Sequence, residues 1–130
     1  MSEIWNELCA AARAARNPRS LSEKVDAGGV AAAIETASGK IYTGVCVDTA
    51  CTLGICAERN AIFRMITCGE SEIRRVVAVG RNGKPVPPCG ACRELMAQLS
   101  PEHYRDIEIM LGDDPPRVVL LGELTPEWWI

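Results

Sequence analysis

The stretch GICAERNAI, residues 54–62, decides how this chain is read: Cys56, Glu58 and Arg59 stand together where a helical pattern begins. A second stretch, PPCGACREL at 87–95, repeats the arrangement, with two prolines, then Cys89 and Cys92, then Arg93. Cysteines three positions apart at a helix start place both sulfurs on one face of its first turn. Unpaired N–H groups and the helix dipole favour thiolates there. Cys56 holds the same kind of position on another helix. If the two helix N-termini meet, three thiolates converge on one point. Three protein ligands with an open fourth position are the arrangement of a catalytic zinc, and thiolates select zinc over magnesium or calcium.

Glu58 follows Cys56 by two residues, about 200° around an ideal helix. It is awkwardly placed as a ligand but well placed to reach a water at the metal, which makes it a candidate proton carrier. Three thiolates leave zinc with a formal negative charge, and a guanidinium from Arg59 or Arg93 donating to sulfur offsets it. Other readings stay open at this level. A lone C-x-x-C also marks a redox pair or half of a closed structural site, with Cys46, Cys51 or Cys68 as a fourth thiolate. A Glu beside an Arg on a helix is commonly a solvated pair. The metal reading is favoured because one pattern accounts for Pro88, the three cysteines, Glu58 and both arginines together.

The remaining chain sets the frame. Its 130 residues suffice for one domain, 1–130, with one core. An apolar fraction of 48% fits a packed interior, and a net charge of −3 with scattered basic residues argues against nucleic acid. No apolar run is long enough for a membrane span. The Ala- and Arg-rich start carries Glu3 and Glu7, unlike a transit peptide. The expectation is a soluble, cytoplasmic protein. Seven cysteines, an odd number, argue against a disulfide framework. Cys9 and Cys68 fall within helical patterns and read as small buried hydrophobes.

Trp5, Leu8, Cys9 and Ala12 recur at helical spacing over 3–16, and Asn17-Pro18 stops that helix. GGVAAAIETASGKIYTGVCV reads as two short strands around Ala37-Ser38-Gly39. Residues 56–68 form a helix with an apolar face of Ala57, Ala61, Ile62, Met65 and Ile66, ended by Gly69. RRVVAVG is a buried strand, RNGKPVPP a loop, and 89–99 a third helix. DIEIML and RVVLL are two further strands, and TPEWWI closes the chain as a helical turn. The order α-β-β-α-β-α-β-β predicts an α/β fold with a mixed five-stranded sheet covered by helices.

At Cys56-Ala57-Glu58 and Pro88-Cys89-Gly90-Ala91-Cys92 the chain resembles the cytidine deaminase family, whose pattern is His/Cys-x-Glu followed by Pro-Cys-x-x-Cys. ERNAIF resembles the small homotetrameric members, VAAAIETASGKIYTG the family's first hairpin, and LLGELTPEWW its closing segment. The resemblance implies a three-layer α-β-α fold, zinc held by Cys56, Cys89 and Cys92, and Glu58 as proton shuttle. It also implies that the Ala57 backbone and the Pro88 carbonyl hold the base and its departing amine. The implied reaction is hydrolytic deamination of a small molecule, a cytosine nucleoside or close analogue, with release of ammonia. The alternatives are the same chemistry on another aminated heterocycle, or a zinc-stabilised binding protein without turnover.

The sugar-gripping half departs from the resemblance. Where the family shows Asn-x-Glu-Asn, this chain has Cys46-Val47-Asp48-Thr49, and the family's pocket aromatic falls on Gly28. A thiol does not replace an amide, and Asp is a methylene shorter than Glu. Blasticidin deaminases are the precedent for such a changed pocket. Cys46 and Asp48 remain candidate substrate contacts, and Trp128, beside Trp129, is the candidate aromatic that replaces the missing one. His103, the sole histidine, reads as a surface or capping residue.

Overall fold

Ala31, Ala32, Ala33 and Ile34 are consecutive and wholly buried, so the strand that carries them is covered on both faces. The computed structural model describes all 130 residues. In chain order its elements are α1 (Glu3–Ala15), β1 (Arg19–Ser22), β2 (Val25–Thr36), β3 (Ile41–Asp48), α2 (Ala57–Thr67), β4 (Ile73–Val79), β5 (Pro85–Val86), α3 (Gly90–Leu99), β6 (Glu108–Asp113) and β7 (Pro116–Leu120). Short 3-10 turns occupy Arg81–Gly83, Tyr104–Asp106 and Leu121–Leu124.

The sheet has seven strands where five were expected. Its width is nevertheless five rows. Ala27 of β2 faces Val47 of β3 on one edge and Arg19 of β1 on the other, the edge that β4 continues from Ala31 to Thr36. Likewise Val79 of β4 faces Ala31 on one edge and Pro85 of β5 on the other, where β6 pairs at Arg75 and Val76. The two extra strands are short prolongations of existing rows. RSLS has no apolar alternation, and the proline of Pro85-Val86 reads as a loop, so neither carries a strand signal. The β4–β6 pairing is parallel and the others are antiparallel.

Strand alternation sorts the core into the expected three layers. Ala33, Val77, Val79 and Met110 meet Trp5, Leu8, Cys9 and Ala12 of α1 on one face. Ile34, Val76 and Ile109 meet α2 and α3 on the other, through Ala61, Ile62, Met65, Cys92, Met96 and Ala97. Helix α2 lies directly on β3: a Cβ added at Gly44 would stand 2.4 Å from the Ala61 nitrogen. That close approach fixes where the start of α2 sits on the sheet.

Several expectations are corrected, while those for Cys9 and His103 hold. Ile66 is exposed rather than buried, because α2 buries the stripe Ala57, Glu58, Ala61, Ile62 and Met65. Cys68 is exposed as the C-cap residue before Gly69 at φ +92°. Cys9 is buried, and its thiol points at Met110 Sδ, 3.5 Å away. The closing 3-10 turn is Leu121–Leu124, and TPEWWI after it is not helical. His103 is exposed and precedes the turn at Tyr104.

Candidate active site

Cys56 is the N-cap residue of α2 and Cys89 that of α3, both with extended backbone. Cys92 lies in the first turn of α3 and is fully buried. Their sulfurs cluster, with Cys56 Sγ 3.3 Å from Cys89 Sγ and Cys89 Sγ 3.6 Å from Cys92 Sγ. An ion with tetrahedral Zn–S bonds of about 2.3 Å separates its sulfurs by about 3.8 Å, and the three sulfurs, all within 4.8 Å of one another, are compact enough to hold one. No carboxylate or imidazole joins it, nor does a fourth cysteine.

The charges around the cluster also fit a cation. Burial pushes the Cys92 thiol well above its ordinary range, and the charges of Glu58, Cys56 and Cys89 add to that rise. Burial acts on Cys89 in the same direction, but N–H groups of Cys92 and Ala91 and the neighbouring sulfurs outweigh it and lower that thiol. Three thiolates at this spacing repel one another unless a metal joins them. Arg59 Nη2 donates to Cys56 Sγ at 3.4 Å. That bond to Cys56 holds the guanidinium firmly protonated, with Cys92 contributing further.

The sulfurs of Cys56 and Cys89 open into a cavity of about 700 Å³ that Ala57, Glu58, Cys46 and Asp48 also line. Glu58 is only 4% exposed. Burial raises its carboxyl above the usual range, and its own N–H and Arg59 oppose this only in part. A titratable carboxyl, three thiols and an open volume therefore meet at the N-termini of two helices. A zinc-binding deaminase region is what that combination describes, and the model for the cytidine and deoxycytidylate deaminase zinc-binding region matches residues 6–104.

The chain belongs to this family. It is 36% identical over 86 residues to a cytidine deaminase of Halalkalibacterium halodurans, covering 65% of this chain and 62% of that one. It is 33% identical over 89 residues to a blasticidin-S deaminase of Bacillus cereus, covering 62% and 64%. The chain thus spans just under two thirds of these relatives' lengths. A crystal structure of cytidine deaminase from Burkholderia pseudomallei superposes with a TM-score of 0.77 at 32% identity, over 99% of this chain and 100% of that one.

Within this deaminase-family fold, the sequence expectations for Arg93, Pro88 and Trp128 land differently. Arg93 does not reach the sulfurs; its Nε donates to the Pro88 carbonyl at 2.9 Å and its Nη1 to the Leu124 carbonyl at 3.1 Å. The Pro88 carbonyl, expected to face a departing amine, is thus engaged by Arg93, and Pro88 is buried. Trp128 does not line the cavity within one chain: it packs on the α2–α3 core and stacks on Trp129 with ring centroids 5.5 Å apart. Gly28 has no room for an aromatic. It sits at φ +84° in an irregular stretch of the β2–β3 pairing, and a Cβ there would stand 2.0 Å from the Asn17 carbonyl oxygen.

Cys46 and Asp48 do line the cavity. The Cys46 sulfur accepts the Val30 N–H at 3.2 Å, and its thiol points at Asp48 Oδ2, 3.8 Å away. Thr49 and Cys51 are part of the same wall. Two further lining residues, Arg16 and Arg81, carry no sequence signal, because each reads as an ordinary arginine beside a turn.

Proposed function

We propose that this protein is a zinc-dependent hydrolase that removes the ring amino group of a cytosine nucleoside or close analogue. Water supplies the oxygen: a ring C–O bond forms, the C–N bond breaks, and ammonia leaves. The observation that carries the reading is the buried Glu58 carboxyl sharing one cavity with Cys56 and Cys89, whose sulfurs touch each other, that of Cys89 also touching Cys92.

Cys56, Cys89 and Cys92 are the residues for the zinc, which when bound supplies Lewis-acid activation of a water. Glu58 would move two protons in turn: one from the attacking water to the ring nitrogen, and then the proton of the added hydroxyl to the leaving amine. Burial, which raises its carboxyl, makes it hold a proton more readily than an ordinary glutamate, as a proton carrier must. Arg59 offsets thiolate charge at Cys56. Ala57 is placed to hold the base through its backbone, Cys46 and Asp48 face the rest of the substrate, and Arg93 holds the Pro88 segment in position.

A single domain over 1–130, a cytoplasmic setting and a homotetramer belong to the same proposal. Free thiols at every cysteine suit a reducing compartment. Phe63 and Ile66 on the outer face of α2, with Trp129 and Ile130 at the end of the chain, are exposed apolar residues that association would cover. In a tetramer Trp128 is available to a neighbour's cavity. Sedimentation giving a monomer at micromolar concentration would rule the assembly out.

The test is an ammonia-release screen with the zinc-loaded protein on cytidine, deoxycytidine, cytosine, blasticidin S and other aminated heterocycles. Release from a cytosine nucleoside or analogue is expected. Turnover of a different ring system alone would move the substrate class. No release from any, with zinc bound, would leave a binding protein.

A further inference from the structure

The cavity that holds Glu58 is also lined by Arg16 and Arg81. Arg16 is the C-cap residue of α1, and its Nε donates to the Gly29 carbonyl at 2.8 Å. That bond fixes the guanidinium plane while leaving both Nη groups free to donate. Arg81 follows Gly80, where an added Cβ would stand 4.0 Å from Val30 Cγ2. Both arginines therefore issue from the chain around the same two β2 residues, Gly29 and Val30. The side chain of Arg81 makes no hydrogen bond within the chain, and the chain's ion pairs involve only Arg13, Arg75 and Lys84 as cations. Neither Arg16 nor Arg81 forms an ion pair, and the two carboxylates that share the cavity, Asp48 and Glu58, are in no ion pair either.

The same wall has lost neutral grip. Cys46 spends its sulfur on the Val30 N–H and directs its thiol at Asp48, which leaves no amide to hold a sugar hydroxyl. An open volume lined by Cys56 and Cys89 of the cluster and by two guanidiniums outside any ion pair fits a substrate whose ring carries a charged substituent. A guanidinium presents paired N–H donors that match the oxygens of phosphate or carboxylate.

The geometry points to Arg16 and Arg81 as specificity-determining residues that bind an anionic group, phosphate or carboxylate, on the sugar side of the aminated substrate. This rests on the deaminase reading for the ring and deepens it by naming the substrate class: an anionic nucleoside derivative rather than a neutral nucleoside. Arg16 is anchored and supplies direction; Arg81 is exposed and supplies charge at the mouth. The grip that the hairpin does not supply through an amide is thereby supplied electrostatically.

Binding to the zinc-loaded protein, measured by calorimetry with ligands that have no amino group to lose, tests this apart from turnover. The ligands are uridine, uridine 5′-phosphate and a uridine 5′-carboxylate, and the tighter of the two anions identifies the source. The favoured anion is expected to bind at least ~10-fold more tightly than uridine, since a charged hydrogen-bonded contact is worth that much or more. Arg16→Gln and Arg81→Gln should each pull the ratio toward one, and added salt should lower it. A ratio near one in the unaltered protein, or a ratio that survives both substitutions, overturns the proposal. Arg81→Gln touches no internal hydrogen bond, so it decides the matter even if Arg16→Gln loosens the bulge. Ammonia release from cytidine with a ratio near one removes the anion site and leaves the deaminase. Anion-selective binding without ammonia release from any cytosine derivative keeps the arginine site and removes the deaminase.

Discussion

Cys56 Sγ and Cys89 Sγ stand 3.3 Å apart although 33 positions separate them in the chain. Each caps a different helix, so the contact exists only because β3 and β4 seat the starts of α2 and α3 at the same end of the sheet. Elemental analysis should therefore find about one zinc per chain (a three-thiolate site). Cys89→Ala should lose it, whereas Cys46→Ala and Cys51→Ala should keep it, because those sulfurs lie outside the cluster. An empty site in Cys51→Ala would show that the zinc is held by four thiolates and is structural.

Glu58→Gln keeps shape and burial but cannot carry a proton. We expect the fold and zinc content to be retained while ammonia release from the best substrate falls ~10²- to 10⁴-fold, the usual worth of general acid–base catalysis. Turnover near the unaltered rate would take Glu58 out of the mechanism.

Arg59→Ala and Arg93→Ala should fail in different ways. Losing the donor to Cys56 Sγ should weaken zinc retention or turnover ~10- to 100-fold. Losing Arg93 leaves the Pro88 and Leu124 carbonyls without their donor, and should cost about 1–3 kcal/mol of stability in denaturant unfolding. Identical profiles for the two variants would contradict the separation of roles.

Gly28→Phe, which restores the family's aromatic, should destabilise the chain rather than improve binding. A non-glycine residue at this left-handed backbone costs about 1–3 kcal/mol, and the clash with the Asn17 carbonyl adds to it. A variant as stable as the parent, judged by its urea midpoint, would mean that the bulge refolds.

The Glu70 carboxylate accepts the Ser38 hydroxyl at 2.6 Å and the Tyr42 hydroxyl at 2.7 Å. Ser38 is the largest cause holding its carboxyl below the ordinary range, with Thr36 and Tyr42 contributing, and the same contact with Glu70 pushes the Tyr42 phenol up to about 12. A lowered folded-state carboxyl stabilises above its unfolded value, about 4.3, and that stability fades as pH falls through the lower folded value. Glu70→Gln should thus be less stable than the parent at pH 7, with the gap closing toward pH 3. A gap that is constant with pH would mean the bonds do not depend on charge.

The sequence by itself determined the candidate site residues and the layer plan. Cys56, Glu58, Cys89 and Cys92 were legible because ligand spacing and helix starts are local properties of the chain. The period of Trp5, Leu8, Cys9 and Ala12 gave α1, and apolar runs between turns gave the main strands, although β2 and β3, expected to be short, run to 12 and 8 residues. Tertiary structure alone decided what depends on neighbours distant in sequence. It spent Arg93 on the Pro88 and Leu124 carbonyls instead of the sulfurs. It turned Gly28 into a bulge pressed against Asn17, placed Trp128 on the core, and joined β1 and β5 to rows already formed. It also brought Arg16 and Arg81 to the lining of one cavity. An arginine's partner is set by which carbonyl, sulfur or cavity the fold brings within reach, and no spacing along the chain encodes that.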